Sequence, residues 1–206
     1  MFYTPKTGHK LLHNPFKAIV APRPIGWISS IDKNSNVNLA PYSFFNAIAD
    51  DPPMVMFATN GKKPDNMGIK DSLSNITETK EFVVNTVSKP LLKSMNLTSG
   101  NYPKDIDEFN ISKLEKANCK LVSPPRIFQS PASLECKLFK LVKLPGKNNN
   151  MIIGEVVGVH LSDKFIKEGI FDILAFNPIA RLGYKDYTTV LEKFSLERPS
   201  WTSFNL

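Results

Sequence analysis

Glycine is scarce and widely scattered in this sequence. Ten glycines occur, and no two of them lie closer together than Gly154 and Gly158. A Rossmann fingerprint and a P-loop both need several glycines within one short loop, so neither motif can be written anywhere in the chain. A nucleotide that binds here must therefore bind without a glycine-rich loop.

Cysteine is rarer still. Cys119 and Cys136 are the only two, and they form no Cys-x-x-Cys pair. We expect both to be buried, reduced thiols. His9 and His13 have helical spacing, but prolines surround them and no Cys, Asp or Glu lies nearby to complete a metal site. We therefore expect no metal ion.

Long hydrophobic runs are missing as well. No apolar segment approaches the length of a membrane span, and the first residues lack the apolar core of a signal peptide. We therefore expect a cytoplasmic protein that makes no membrane contact.

Positive charge exceeds negative charge, with 26 Lys+Arg against 19 Asp+Glu. The lysines are scattered from Lys6 to Lys193, and no nucleic-acid-binding motif accompanies them. We expect a solvated basic surface and no nucleic-acid partner. A basic cleft can nevertheless concentrate a ligand that carries phosphate.

Length and patterning predict one mainly β domain over residues 1–206, with an excursion at about 96–130 and a C-terminal tail at about 185–206. Alternating patterns predict strands at Pro24–Ile31, Met54–Thr59, Glu81–Val87, Ala132–Leu144, Met151–Leu161 and, as the weakest pattern, Ala18–Ala21. One helix is predicted over Asp71–Thr79, capped by Asp71 or Ser72, and a second opens at Ser88-Lys89-Pro90. Long strands with few helices favour an antiparallel barrel over a doubly wound sheet.

The stretch from Pro22 to Val55 carries the most information. In its first strand, Trp27 and Ser29 point one way, while Ile28 and Ser30 point the other. The following segment, Asn38–Asn46, interleaves flat apolar side chains with hydroxyl and amide groups. A flavin ring needs that mixture, because its faces are apolar and its edge carries hydrogen-bonding groups. An ordinary aromatic-rich core strand has the same composition.

Further segments follow in a recognisable order. They are Lys70-Asp71-Ser72 with Asn75-Ile76, Glu81-Phe82-Val83-Val84-Asn85, Met95-Asn96, Ser130-Pro131 with Leu134-Glu135-Cys136, Ile153-Gly154-Glu155-Val156-Val157 with His160, Pro178-Ile179-Ala180-Arg181-Leu182-Gly183, and Arg198-Pro199. Together with Pro22–Val55, they resemble the flavin reductase-like family of FMN-binding split barrels, in particular its flavoredoxin-like branch. Two differences from the family's sequence pattern concern the part of the protein that would meet the nicotinamide. Asn148–Ile153 replaces a Gly-Asp-His motif, and Tyr184 replaces a second glycine.

The resemblance implies an antiparallel, Greek-key split barrel that binds FMN rather than FAD and uses NAD(P)H as co-substrate. It also implies a homodimer with FMN at or beside the interface. A small barrel fills its own interior, so a ligand as long as FMN must lie outside, where a second subunit can supply another wall. The residues expected at the cofactor are Trp27, Ser29, Ser30, Asn38, Pro41, Tyr42, Ser43, Phe44, Phe45, Asn46, Thr59, Lys63, Lys70, Asp71, Ser72 and Arg181.

Several of these residues have two interpretations. Lys70 and Ser72 at a helix start suit a phosphate, but a routine capped helix looks the same. Arg181 can pair with phosphate or with the flavin edge, or it can be a surface arginine. His160 is a weak catalytic candidate near the flavin or nicotinamide, and a structural histidine is the alternative.

The C-terminal tail and the excursion are also ambiguous. Phe194, Leu196, Trp201 and Phe204 have no predicted strand to belong to. They can reach across to a partner subunit or pack back onto their own barrel. Phe109, Ile111 and Leu114 of the excursion are expected to cover a subunit or ligand edge.

Two classes of function follow. The first is an NAD(P)H-dependent flavin oxidoreductase, in which the cofactors carry the hydride transfer and no protein acid or base is needed to form the bond. The second is a non-catalytic FMN-binding or electron-carrier protein whose acceptor is another protein. A third, more remote class binds heme on the same architecture.

Overall fold

The structure of the protein is a computed structural model that describes residues 1–61 and 68–201. Its strands are β1 Arg23–Pro24, β2 Gly26–Ile31, β3 Val37–Tyr42, β4 Phe45–Asp50, β5 Pro53–Thr59, β6 Glu81–Asn85, β7 Lys116–Ala117, β8 Arg126–Ile127, β9 Ala132–Leu144, β10 Asn149–Leu161, β11 Ile166–Lys167, β12 Ile170–Phe171, β13 Ile179–Arg181 and β14 Tyr187–Thr189. Its α-helices are α1 Phe16–Ile19, α2 Asp71–Thr79, α3 Leu92–Leu97 and α4 Glu108–Ile111, and 3-10 turns occur at Lys89–Leu91, Asp163–Phe165 and Ile173–Phe176.

The main sheet is antiparallel and has seven strands in the order β3-β2-β6-β9-β10-β5-β4. Hairpins join β2 to β3, β4 to β5, and β9 to β10. The connection from β5 through α2 to β6 passes over two strands, which is the non-local link of a Greek key. Tyr42 at the end of β3 packs on Phe57 of β5 with ring centroids 4.8 Å apart. The two edges of the sheet therefore meet, and the predicted mainly β barrel is confirmed.

The alternation predicted for β2 separates two hydrophobic cores. Ile28 is fully buried in the first core, which also contains Phe57, Phe82 and Ile152. Trp27 is fully buried in the second core, on the opposite face of the strand. Successive side chains of a strand point to opposite faces, so one short strand supports both cores.

Helix α2 covers the first core and has the bounds that the sequence predicts. Leu73 and Ile76 are buried there, because they share one face of the helix. The predicted cap is wrong. Lys70 occupies the N-cap position and makes no side-chain capping bond. Among the described residues, the N-cap side chain therefore accepts no hydrogen bond from the first amide groups of α2.

The excursion covers the second core instead of an external edge. Phe109 and Leu114 pack with Trp27 and Met95, while Ile111 is exposed. The predicted helix after Ser88 is confirmed as a 3-10 turn that continues into α3, with Met95 facing inward. Two of the three residues expected at a subunit or ligand edge, Phe109 and Leu114, therefore complete this chain's own core.

The weakest predicted strand, Ala18–Ala21, is wrong. Helix α1 covers Ala18 and Ile19, and the carbonyls of Lys17 and Val20 accept hydrogen bonds from Arg23, which is itself buried. Ala18 also lies against Gly183, where an added Cβ would come within 2.5 Å of the Ala18 Cβ. The segment therefore packs against Gly183 through Ala18, and its backbone does not pair as a strand.

The C-terminal tail begins later than predicted, because β14 pairs with β13 and belongs to a second sheet with β1. Beyond β14, Phe194 is 84% exposed, Leu196 is 85% exposed and Trp201 is 85% exposed. Within one chain, these side chains do not pack back onto the barrel. Phe204 lies outside the described residues. Across residues 1–61 and 68–201, no helix is both long and apolar enough to cross a bilayer.

Candidate functional site

Two adjoining cavities lie where β3 ends and α2 begins. They have volumes of about 110 Å³ and about 190 Å³ and share Pro41, Tyr42 and Lys70. We call them together the Tyr42 groove. Its other lining residues are Asn38, Ala40, Asp71, Ser72, Thr98, Ser99, Gly100, Asn101, Tyr102 and Glu108 in the first cavity, and Lys17, Ser43, Phe44, Ala58 and Asn60 in the second.

A hydrogen-bonded set of side chains fixes the junction of β3 and α2. The Asn38 side-chain amide donates to the Ser72 hydroxyl at 2.8 Å. Burial raises the pKa of Tyr42 to about 12, although a hydrogen bond with Ser72 partly opposes the shift. Tyr42 is therefore a neutral phenol at any physiological pH. Because Ser72 is buried and bonded to these neighbours, it positions the groove wall and is not an open ligand for phosphate.

The start of α2 supplies a positive charge where the two cavities of the groove join. Lys70 lines both cavities, and its Nζ lies 3.4 Å from the Asn101 side-chain oxygen. The uncapped amide groups of the first helical turn and the helix dipole favour an anion at this position. Asp71 adds a negative charge nearby. A phosphate therefore fits best against Lys70 and the main-chain amides.

Aromatic surface lines the second cavity of the groove. Phe44 lies between two cations, with Lys17 Nζ and the Arg23 guanidinium each 5.9 Å from its ring centre. Its backbone carbonyl accepts a hydrogen bond from Ala58 at 2.8 Å, which fixes the residue beside β5. A flat ligand can stack on this surface while its polar edge faces main-chain groups.

Glu108 is a buried carboxyl in the wall of the groove. Burial raises its pKa to about 7, and a hydrogen bond from the Leu39 backbone N–H, 3.0 Å from Oε2, partly opposes the shift. The carboxylates of Asp71 and Asp107 raise the pKa further. Near neutral pH, Glu108 therefore exists partly as a neutral acid that can donate a hydrogen bond.

The structure brings eight predicted residues into the groove. They are Asn38, Pro41, Tyr42, Ser43, Phe44, Lys70, Asp71 and Ser72. The sequence analysis missed Lys17, Glu108 and the Thr98–Tyr102 turn. The small polar run Ser99-Gly100-Asn101 after a helix was a weak signal for that turn. Nothing local marked Glu108, because only the return of the excursion brings it against β3.

Three other predicted residues lie in the cores. The Trp27 indole N–H donates to the Thr98 hydroxyl at 2.9 Å, and the side chain is fully buried. The hydroxyl of Ser29 donates to the Pro125 carbonyl, and Ser30 accepts from the Asn75 amide at 3.2 Å. These partners account for both buried hydroxyls, so no ligand is needed to explain a serine on this strand, and its place at the cofactor stays a prediction.

The remaining β4 and β5 candidates lie beside the groove. Phe45 packs its ring on Gly26, and Asn46 is exposed with its side chain bonded to the next backbone amide. Thr59 is buried, and its hydroxyl has no hydrogen-bond partner among the described residues. Lys63 lies outside the described residues.

Arg181 and His160 are held by other contacts. Arg181 stacks on the Tyr187 ring at 4.3 Å and donates to the Tyr187 hydroxyl and the Tyr184 carbonyl. His160 and Pro41 belong to one row of paired residues across the main sheet, and strands β2, β6 and β9 lie between them. Four strand spacings separate the two residues by about 19 Å. Within one chain, His160 is therefore outside the Tyr42 groove.

The groove contains the titratable groups Lys17, Tyr42, Lys70, Asp71, Tyr102 and Glu108. Among the described residues that line the groove, no Ser, Cys or Thr nucleophile is paired with a histidine base. The arrangement is suited to binding a flat, anionic molecule, and any electron transfer must be carried by what it binds.

Comparison with known proteins agrees with this geometry. The family model described as "Flavin reductase like domain" matches residues 20–178. The chain is 30% identical to 2-nitrobenzoate 2-nitroreductase NbaA of Pseudomonas fluorescens, covering 90% of this chain and 89% of that one with a TM-score of 0.79. It is 27% identical to nitrilotriacetate monooxygenase component B of Bacillus cereus, covering 95% and 98% with a TM-score of 0.86.

A third structure is similar in fold alone. It comes from Shewanella frigidimarina and is described as a flavin reductase with a split barrel domain. The two share 21% identity over 97% of this chain and 100% of the other, with a TM-score of 0.80. The protein therefore belongs to the flavin reductase-like family and has the split-barrel fold.

Proposed function

We propose that this protein binds FMN in the Tyr42 groove and acts as an NAD(P)H-dependent flavin oxidoreductase. One observation carries the proposal. A basic residue at a helix start lies where the two cavities of the groove join, and an aromatic side chain lines one of them, within the part of the chain that matches the flavin reductase-like family. A flavin mononucleotide offers a complementary phosphate and flat ring.

Different residues of the groove bind the phosphate and the ring of FMN. Lys70 and the first amides of α2 hold the phosphate, and Pro41 to Phe44 hold the ring. FMN, when bound, supplies the two-electron chemistry. The neutral form of Glu108 can donate a hydrogen bond into the groove, and half-buried Tyr42 lines both of its cavities. The cavities are small, which favours FMN over the longer FAD.

The working unit in this proposal is a homodimer. The Tyr42 groove is an open surface feature, so one subunit leaves part of a bound ring in water. Phe194, Leu196 and Trp201 are largely exposed within one chain and form the apolar part of the tail. Surface of this kind is typical of a protein interface. Light scattering at micromolar concentration tests the claim, and a clean monomer that holds one FMN would contradict it.

Anaerobic mixing with NADH and with NADPH tests the activity. We expect the purified protein to be yellow and its flavin absorbance to bleach with at least one nicotinamide. A yellow protein that neither nucleotide bleaches is a carrier that exchanges electrons with a partner protein. That alternative has support from Asn148–Ile153, which forms the β9–β10 turn and the start of β10 and contains no histidine. A Soret band without flavin absorbance contradicts both forms of the proposal.

The phosphate position is tested by Lys70→Met. Loss of one charge-assisted contact is expected to weaken FMN binding by about 1.5–3 kcal/mol. Lys93→Met is the matched control, because Lys93 is exposed on α3 and does not line the groove. Equal FMN affinity in the two variants would show that the phosphate lies elsewhere.

A further inference from the structure

Cys119, Glu135 and His160 come together on the far side of the barrel from the Tyr42 groove. One sulfur, oxygen or nitrogen atom from each lies within 4.8 Å of the corresponding atoms of the other two. Glu135 is on β9, His160 is on β10, and Cys119 follows β7. The fold therefore assembles three metal-binding side chains that are distant in sequence.

The pairing of β9 with β10 places Glu135 and His160 on one face. Gly158 lies opposite Glu135, after an irregularity in the ladder, and His160 follows two residues later. A Cβ at Gly158 would lie 3.4 Å from the Glu135 carboxyl carbon, so the carboxyl group crosses directly over this glycine. His160 Nε2 then meets Glu135 Oε1 at 2.5 Å.

Main-chain groups hold the Glu135 carboxylate in place. Oε1 accepts from the Lys120 amide at 2.8 Å, and Oε2 accepts from the Leu121 and Val122 amides at 2.6 Å and 3.1 Å. These bonds also fix the turn that carries Cys119. Metal-binding carboxylates are commonly oriented by such hydrogen bonds, because an oriented ligand loses less entropy on binding.

The surroundings of Cys119 keep its thiol protonated unless a cation lies beside it. Burial raises the pKa of the Cys119 thiol to about 12, and the neighbouring Glu135 carboxylate raises it further. Arg126 opposes this shift. A divalent cation at the cluster would balance one thiolate and one carboxylate, which burial otherwise disfavours together.

His160 is the member of the cluster that borders open space. His160 lines a cavity of about 500 Å³ together with Arg126, Ser130, Ser162 and Lys164. The buried Nε of Arg126 has no hydrogen-bond partner in the described part of the chain. A cation held by three protein ligands here has room for a fourth ligand, such as water or a small anion.

We propose that Cys119, Glu135 and His160 form a binding site for a divalent transition metal of the zinc class, with its fourth position open to this cavity. A set of one sulfur, one nitrogen and one oxygen ligand suits Zn²⁺ and disfavours Mg²⁺ and Ca²⁺, which take oxygen ligands. Binding replaces the His160–Glu135 hydrogen bond with a shared ion. It also releases the thiol proton of Cys119 to solvent, so at least one proton leaves for each ion bound.

Cobalt(II) is the probe that tests the site. The full chain is stripped with a chelator, kept reduced with a phosphine and titrated with Co²⁺, and then with Zn²⁺ in competition. We expect one ion per chain, a near-ultraviolet thiolate-to-cobalt band, and loss of that band when Zn²⁺ displaces the cobalt. Absence of stoichiometric binding at micromolar protein would overturn the proposal.

Two matched variants separate the cluster from other thiols. Cys119→Ser is expected to abolish the thiolate band and to weaken cobalt binding by on the order of a hundredfold or more. Cys136→Ala is expected to keep both, because Cys136 is buried in the first core. His160→Gln should weaken binding while keeping the thiolate band. Circular dichroism confirms that each variant is folded, and an unchanged band in folded Cys119→Ser contradicts the site.

Discussion

The ring of Phe45 lies directly over the α-carbon of Gly26. A Cβ added to Gly26 would come within 2.6 Å of Phe45 Cδ2, which is closer than real contacts of this kind. Gly26 begins β2, and Phe45 begins β4 near the opposite edge of the main sheet. The missing side chain thus lets the two edges of the barrel approach beside the Tyr42 groove.

We expect Gly26→Ala to displace Phe45 and to lower the free energy of unfolding by about 1–3 kcal/mol, as overpacking does in other cores. Denaturant titration measures the loss. In a double-mutant cycle with Phe45→Ala, most of the penalty of the added methyl group should disappear, because the ring that it meets is gone. Gly158→Ala is the control, since its added Cβ would meet nothing closer than 3.4 Å.

Trp27 is expected to act on stability and not on cofactor binding. Trp27→Phe removes the donor to Thr98 and leaves a small cavity, so we expect a loss of about 1–3 kcal/mol in the free energy of unfolding. FMN affinity should change less than threefold, or about 0.7 kcal/mol. The exposed Trp201 provides the control variant Trp201→Phe, which should leave stability unchanged. Weaker FMN binding without a loss of stability would show that Trp27 acts in cofactor binding.

Glu108 should make the ligand-free protein less stable as the pH rises. Its pKa is raised from 4.5 to about 7 in the folded chain, so folding favours the neutral acid. The stability that this acid contributes is complete below pH 4.5 and is lost as the pH rises through about 7. Glu108→Gln remains neutral and keeps an acceptor for the Leu39 amide. At pH 8, we expect it to be more stable than the natural chain by about 1–3 kcal/mol.

Unfolding measured from pH 4 to pH 8 tests this prediction about Glu108. The two curves should meet at the acid end and separate between pH 4.5 and about 7. Glu155→Gln is the matched control, because Glu155 is exposed on β10 and should not alter the slope. Parallel curves for Glu108→Gln and the natural chain would rule out the raised pKa.

Asp32 is expected to stabilise the turn between β2 and β3 in the opposite pH range. Burial alone would raise its pKa, but hydrogen bonds from Asn36, Lys104 and Asn34 outweigh burial and lower the pKa. Its stabilisation is therefore present above its ordinary value of 3.8 and is lost as the pH falls through the lowered folded value. Asp32→Asn should lower stability by about 1–3 kcal/mol at pH 7.

The partner of Asp32 allows a control for this effect. Lys104 Nζ lies 3.0 Å from Asp32 Oδ2, but its side chain is 54% exposed. We expect Lys104→Met to lower stability by less than about 1 kcal/mol, because the Lys104 end of the pair is solvated and Asp32 keeps its hydrogen bonds from Asn34 and Asn36. Thermal unfolding at pH 7 and in acid compares the two variants. A larger effect from Lys104→Met would show that the ion pair, and not the turn, stabilises this part of the fold.

Local patterns in the sequence determined the elements of the barrel. The alternation of Trp27 and Ile28, the bounds of α2, and β9 as predicted all depend on contacts between near neighbours in the chain. Periods of two and of about 3.6 residues are properties of one segment, so they can be read without knowing what packs on it. Two segments that line the Tyr42 groove, Asn38–Asn46 and Lys70–Ser72, were also identified from the sequence, whereas Lys17, Glu108 and the Thr98–Tyr102 turn were not.

Only the tertiary structure decided which polar side chains are available to a ligand. Ser29 is bonded to a carbonyl 96 positions away, and Trp27 to a hydroxyl 71 positions away. Glu108 reaches β3, and Cys119 reaches Glu135 and His160, only because the excursion returns to the barrel. Hydrogen-bond partners and burial depend on how distant segments meet, and no local period encodes that meeting. The sequence therefore determined the framework, and the fold determined the chemistry of its surface.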